Sequence, residues 1–151
     1  VMKCFIIITV GRFMPFLRVK NWLYRTFLGM KVGNQTSFAL MVMPDTMFPE
    51  RISVGDNTVI GFNTTILAHE YLIDEYRLGD VKIGSNVMIG ANSTILPGVE
   101  IGDGAIVSAM TLVHRDVPAG SMVGGNPMQI IYTTEQMIER KNKDNPNWVN
   151  M

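Results

Sequence analysis

Stepping by six residues from Ile83, the chain sets Ile89, Ile95, Ile101, Val107 and Val113 in register, every one a β-branched aliphatic. If such residues fill roughly a quarter of positions, chance gives a run of this kind well under about one time in a thousand. An earlier block, Val54, Ile60 and Ile66, has the same period, and Val32 followed by Phe38 reads as a weaker first copy. Glycine follows the aliphatic at Gly55, Gly61, Gly84, Gly90 and Gly102. Four residues after each aliphatic stands a small or β-branched residue: Thr58, Thr64, Val87, Ser93, Val99, Ala105, Thr111 or Val117. The slots between are mostly polar, as at Asp56, Asn57, Asn63, Asn86, Asn92 and Asp103.

A period of six fits neither an α-helix nor a coiled coil. Alternate strand side chains share a face, so the small slot and the aliphatic two residues later both point inward. Glycine and asparagine between them suit the dihedrals of a corner. The chain therefore makes a short strand, turns and makes another, and successive coils stack their aliphatics into an interior ladder. A sandwich is the competing architecture, but its strands recur at about 8–12 residues. The expected class is an all-β solenoid, a parallel β-helix.

The step from Ile66 to Ile83 is seventeen residues, five more than two hexads, so a loop is inserted inside His69 to Val81. It carries His69, Glu70, Tyr71, Asp74, Glu75, Tyr76 and Arg77. Solenoids tolerate insertions on one face, often the working one, and polar and aromatic residues leaving a regular coil suit a site wall. A solvated loop is the bland alternative.

The repeat ends near Val117-Pro118. Thr133 with Gln136 three residues on resembles a capping box, so a short helix is expected from Thr134 to roughly Lys143, covering the open end of the solenoid. The tail at Asn145-Pro146-Asn147-Trp148 reads as irregular. At the other end, residues 1–44 hold Lys3, Arg12, Arg18, Lys20, Arg25 and Lys31 with no acid, together with Phe13, Phe16, Trp22, Tyr24 and Phe27. A helix packing its aromatic face on the main domain is the favoured reading. Peripheral contact with an anionic membrane through residues 1–30 is the other. Cys4 to Val10 is short for a signal-peptide core and lacks a small-residue cleavage site, so it is discounted. The expected organisation is residues 1–30 as a basic helical segment, 31–132 as the β-helix with its loop at about 69–81, and 133–151 as capping helix and tail.

Formal net charge is zero, which gives no argument for nucleic acid. Cys4 is the single cysteine, which excludes an intrachain disulfide and agrees with a reducing compartment. No apolar run approaches the ~18 residues of a membrane span. Neither a GxGxxG nor a Walker loop is present.

The run from Val81 to Ile131 resembles the hexapeptide-repeat acyltransferases, and more narrowly their sugar O-acetyltransferase branch, the galactoside and maltose acetyltransferase type. Ile95-Leu96-Pro97-Gly98-Val99, Ile101-Gly102-Asp103, Asp116-Val117-Pro118 and Gly125-Asn126-Pro127 carry the resemblance. It covers residues 52–132 well and 31–51 weakly, and the first thirty do not match clearly. It implies a left-handed β-helix, a cytoplasmic homotrimer, and coenzyme A lying in grooves between adjacent solenoids, with acetyl-CoA as donor. It also implies a histidine general base just before an inserted loop, by position His69, although Leu-Ala-His-Glu lacks the proline usual after that histidine. By the same likeness Ala91, Ala109, His114, Arg115, Gly125, Asn126 and Pro127 line the coenzyme groove. Glu70, Tyr71, Tyr76 and Arg77 would then meet the acceptor, with Glu70 one candidate to orient the histidine ring.

An unperturbed imidazole has a pKa near ~6.5 and can accept a proton at neutral pH. His69 would take it from an acceptor hydroxyl attacking the thioester, help typically worth ~10²–10⁴-fold. A backbone N–H from a facing coil would stabilise the oxyanion. The expected function is acetyl-CoA-dependent O-acetylation of a sugar or saccharide. N-acetylation of an amino sugar and a non-catalytic scaffold are the alternatives. A zinc enzyme on the same solenoid needs three histidines, whereas this chain has two, 45 positions apart, and no metal is expected.

Overall fold

The computed structural model describes residues 1–142, and in it the chain winds into a left-handed parallel β-helix with helices at both ends. The first face stacks Lys31–Val32, Ile52–Val54, Val81–Ile83 and Glu100–Ile101, extended by a bridge from Ile101 to Val117. The second stacks Ser37–Phe38, Val59–Ile60, Met88–Ile89, Ile106–Val107 and Met122–Gly124. The third stacks Met43–Pro44, Thr65–Ile66, Thr94–Ile95 and Leu112–Val113. Every neighbouring pair within these stacks is parallel.

The hexad residues align as a ladder: Ile60, Ile89, Val107 and Val123 lie in register on the second face, and Ile66, Ile95 and Val113 on the third. All are buried, and so is every small residue at the i+4 slot. Where that slot holds a hydroxyl, the hydroxyl donates to a backbone carbonyl. Thr58 Oγ1 reaches Gly84 O at 2.8 Å, Ser93 Oγ reaches Gly90 O at 2.9 Å and Thr111 Oγ1 reaches Ser108 O at 2.6 Å. These slot hydroxyls are thus buried with their hydrogen bonds made.

Corners divide labour between asparagine and glycine in a way the sequence pattern blurs. Asn57, Asn63, Asn86 and Asn92 take φ of 51° to 57°, the left-handed conformation that asparagine tolerates. The glycine directly after each aliphatic has ordinary φ and serves close approach. A Cβ on Gly90 would lie 2.7 Å from Ala109 Cα and from Ser108 C, on the coil above.

At two turns the chain exceeds the eighteen-residue coil set by Ile83 and Ile101, which pair on the first face, whereas the last coil, from Ile101 to Val117, is two residues short. Val32 and Val54 are 22 residues apart, an excess of four, and Val54 and Ile83 are 29 apart, an excess of eleven. The second insertion is larger than the sequence count of five beyond two hexads. The chain makes no strand of the solenoid between Ile66 and Val81, and the whole excess goes into a hairpin of His69–Tyr71 against Tyr76–Leu78. Both insertions leave the same corner, between the third face and the first.

Helices α1 (Met2–Phe13) and α2 (Leu17–Phe27) close the start of the solenoid. The first coil has no coil beneath it, so its carbonyls need donors, and α2 supplies them. Lys20 Nζ donates to Phe38 O and Ala39 O, both at 3.0 Å, Asn21 Nδ2 to Thr36 O, and the Arg25 guanidinium to Val32 O and Gly33 O. Burial lowers the Lys20 pKa. Tyr24 alone among the aromatics of residues 1–30 packs inward, edge-on to Phe38 at 5.2 Å. The expectation that the aromatic face packs on the domain is therefore corrected. Phe13, Phe16, Trp22 and Phe27 are 66%, 68%, 55% and 38% exposed, because the polar face of α2 is what the coil end demands.

At the far end, Gln129–Tyr132 turns back antiparallel on Met122–Gly124. Helix α3 (Thr134–Asn142) begins with Thr133 N–H donating to Gln136 Oε1 at 2.9 Å. It buries none of its residues and touches the last coil through Thr134 Oγ1, which donates to Ala119 O at 2.7 Å. The expected irregular tail at 145–148 lies outside the described residues. Among the described residues no helix is long and apolar enough to cross a membrane.

Candidate active site

His69 opens the hairpin, and its ring faces a residue that sequence reasoning missed. Pro44 and Ile66 are register partners on the third face, so the residues leaving those strands stack on one another. This brings Asp45 against Ala68 and His69. Asp45 Oδ1 accepts from the N–H groups of Met47 (2.8 Å) and Phe48 (3.0 Å). Its Oδ2 accepts from the N–H groups of Ala68 (2.8 Å) and His69 (3.1 Å) and lies 2.6 Å from His69 Nδ1. The carboxyl side chain has no exposed surface. Burial works to raise its pKa. The backbone donors from Phe48, Ala68 and Met47 and the bond to His69 outweigh it, so Asp45 stays below the usual carboxylate value. An ionised carboxylate only accepts, so Nδ1 carries a proton, and in the neutral ring the lone pair is then on Nε2.

Aromatic rings enclose the imidazole. Phe48 meets it at 5.5 Å and Tyr71 at 5.4 Å, both edge-on, with Tyr76 at 6.5 Å. Hairpin register sets Tyr71 opposite Tyr76, and their rings approach to 4.7 Å. Desolvation, Tyr71 and Asp45 hold the Tyr76 phenol above its usual value, against the Arg51 guanidinium. Glu70 is not the ring's orienting partner. It lies opposite Arg77, 3.8 Å from that guanidinium, which also pairs with Glu75.

The remaining candidates fall on two corners. His114 and Arg115 leave the third face two coils beyond His69, about 10 Å along the stack at ~4.8 Å per coil. Both are exposed, and Arg115 Nη2 donates to Met128 O at 3.4 Å. Ala91, Ala109 and Gly125 form a column at the corner between the second and third faces. Met110 N–H donates to Ala91 O at 2.8 Å, and Leu112 N–H to Gly125 O at 3.2 Å. Asn126 and Pro127 follow Gly125 at the top of that column. The third face separates this column from His69 within one chain. Among the described residues no three metal-binding side chains converge.

Residues 80–115 match the family described as "Bacterial transferase hexapeptide (six repeats)". The chain is 73% identical over 143 residues to the "Putative acetyltransferase YvoF" of Bacillus subtilis, covering 95% of this chain and 83% of that protein. It is 50% identical over 130 residues to the "Putative acetyltransferase SAS0727" of Staphylococcus aureus, covering 86% and 81%. Its fold is similar to that of the hexapeptide-repeat acetyltransferase VCA0836 of Vibrio cholerae in complex with acetyl coenzyme A. That likeness has a TM-score of 0.74 at 22% identity, over 88% of this chain and 86% of that one. A galactoside acetyltransferase in complex with coenzyme A is similar at TM-score 0.65 and 19% identity, over 88% and 80%.

Proposed function

This chain belongs to the hexapeptide-repeat acetyltransferase family, and from that premise we propose that it moves an acetyl group from acetyl-CoA to a hydroxyl of a sugar or saccharide, with His69 as general base. The observation that carries the reading is the 2.6 Å contact between His69 Nδ1 and the buried Asp45 carboxylate, beneath a hairpin of tyrosines. His69 Nε2 accepts the hydroxyl proton as the acceptor oxygen attacks the thioester carbonyl. Asp45 stabilises the imidazolium that results. The tetrahedral intermediate then expels the coenzyme A thiolate, which takes the proton back from Nε2, leaving an acetyl ester and free thiol. Tyr71 and Tyr76 pair an apolar ring face with a hydroxyl edge, a combination that suits a saccharide.

The donor site is formed between copies in a homotrimer. Support comes from the outward side of the second face, where Val59 and Met88 are 47% and 55% exposed, in register with Ile106 and Met122. The outward residues of the first face, Lys31, Ser53, Lys82 and Glu100, are polar and suit solvent. Packing the apolar ladder against a second copy would set one chain's Ala91, Ala109 and Gly125 column beside a neighbour's His69, His114 and Arg115. Arg115 suits a phosphate there.

The test is thiol release from acetyl-CoA across a panel of sugars and amino sugars, with His69→Ala alongside. Acceptor-dependent release that falls by ~10²–10⁴-fold in the variant is expected. Release that survives the substitution refutes the base, and the absence of both release and acetyl-CoA binding refutes the enzyme.

A further inference from the structure

The N-terminal helices present the reverse of an ordinary amphipathic arrangement. Their buried residues are Ile8, Gly11, Lys20, Asn21 and Tyr24, three of them polar or charged, while large apolar side chains point away from the protein. Phe5, Val10, Phe13, Phe16, Leu17 and Trp22 are between 41% and 68% exposed. A contiguous apolar surface of this kind on a folded chain marks an interaction site. Helix α1 lies against α2 where Gly11 meets the Tyr24 ring, a Cβ on Gly11 standing 3.0 Å from Tyr24 Oη, so the exposed apolar side chains of the two helices are neighbours. Trp22 and Phe27 stack edge-on at 5.5 Å among them, and Lys3 Nζ lies 5.3 Å from the Phe27 ring.

Charge selects the occupant. Residues 1–44 contain six basic residues and no acid. Lys20 is consumed beneath α2 and Arg25 is tied to carbonyls, but Lys3 and Arg18 are exposed beside the apolar rings. A second copy docked by the same surface would oppose like charges with no acid to pair them. A surface that is apolar, flanked by the cations Lys3 and Arg18 and backed by a rigid coil matches an anionic lipid interface. We propose that α1 and α2 seat this protein on an anionic membrane surface, with the Phe13, Phe16 and Trp22 side chains in the acyl boundary and Lys3 and Arg18 among the headgroups. This docking is independent of the acetyl-transfer reading and stands or falls separately.

The experiment uses the full chain carrying Trp148→Phe, which leaves Trp22 as its one tryptophan. Partition is measured by sedimentation, and Trp22 emission is recorded, with vesicles of phosphatidylcholine alone and of phosphatidylcholine with phosphatidylglycerol at 3:1. The expected result is a blue shift of Trp22 and at least about tenfold stronger partition onto the anionic vesicles. Phe13→Ser/Phe16→Ser should abolish the shift, and Lys3→Gln/Arg18→Gln should weaken anionic partition by about tenfold or more. Both pairs are exposed, so unchanged thermal unfolding should show that each variant folds. No partition onto either vesicle overturns the proposal, as does equal partition onto both. Lipid-independent self-association that Phe13→Ser/Phe16→Ser removes would assign the surface to a second copy and overturn it too.

Discussion

Replacing Asp45 by asparagine exchanges one carboxylate oxygen for an NH2 group and separates the two jobs of this carboxylate. Five donors converge on it, two on Oδ1 and three on Oδ2, including His69 Nδ1. An asparagine satisfies more of them by turning its carbonyl towards Ala68 and His69. That places its NH2 against the N–H groups of Met47 and Phe48, donor facing donor. Leaving two backbone donors unpaired costs about 1–3 kcal/mol each when they are buried. Here they border a half-exposed turn, so a stability loss of about 2 kcal/mol is expected. The catalytic cost has a different origin. The bond to Nδ1 survives but loses its charge just as the ring becomes an imidazolium. A charge-assisted bond is worth about 1.5–3 kcal/mol against about 0.5–1.5 kcal/mol for a neutral one, a difference of about 1–1.5 kcal/mol, so kcat should fall about 5- to 15-fold. The assay is steady-state thiol release at saturating acceptor, with thermal unfolding measured on the same preparation. The KM for acetyl-CoA should stay put, because the buried Asp45 carboxylate bonds to Met47, Phe48, Ala68 and His69 and to none of the residues assigned to the coenzyme groove. A wild-type kcat in a folded Asp45→Asn protein would refute the role given to the pair, and an equal rise in KM would assign the loss to distortion.

Asp45 also makes stability depend on acid. Its folded pKa is depressed, so its contribution is fully present above the ordinary aspartate value near ~3.9 and is lost as pH falls through the lower folded value. The unfolding temperature should therefore be flat from about pH 7 to 5 and drop below about pH 4, less steeply in Asp45→Asn. Ile95→Ala removes a fully buried rung between Ile66 and Val113 and should cost about 2–5 kcal/mol in denaturant unfolding. A loss under about 1 kcal/mol would contradict its interior placement. Gly90→Ala drives a Cβ into the Ala109 backbone and should cost about 1–3 kcal/mol, read from the same titration.

The solenoid was legible because its constraint is local and repeated. Every aliphatic from Ile83 to Val113 is inward, and the residues four places on are inward too, down to the hydroxyls of Ser93 and Thr111. His69 was legible because it borders the break in that repeat. Asp45 was not, since it lies 24 residues away in the weakest coil, and only stacking makes it a neighbour. A signal did exist: Pro44 to Val54 is ten residues, four beyond a hexad, at the corner where the larger insertion leaves. The orientation of α2 was hidden for a different reason. An apolar stripe is read as core-facing, but the end of a β-helix presents carbonyls, and Lys20, Asn21 and Arg25 answer them.

Both insertions into the repeat occupy one corner of adjacent coils, and neither disturbs a rung of the interior ladder. Chemistry and architecture are therefore written in separable stretches of chain. The hairpin from His69 to Leu78 hangs from two strands whose spacing the coils above already dictate, so it can be exchanged like the bit of a drill. A graft of residues 70–77 from a relative with another acceptor would inherit the imidazole, its carboxylate and the donor corner unchanged. Where the hairpin meets the acceptor as proposed, acceptor range in such a scaffold can diverge without refolding, through a different eight-residue flap.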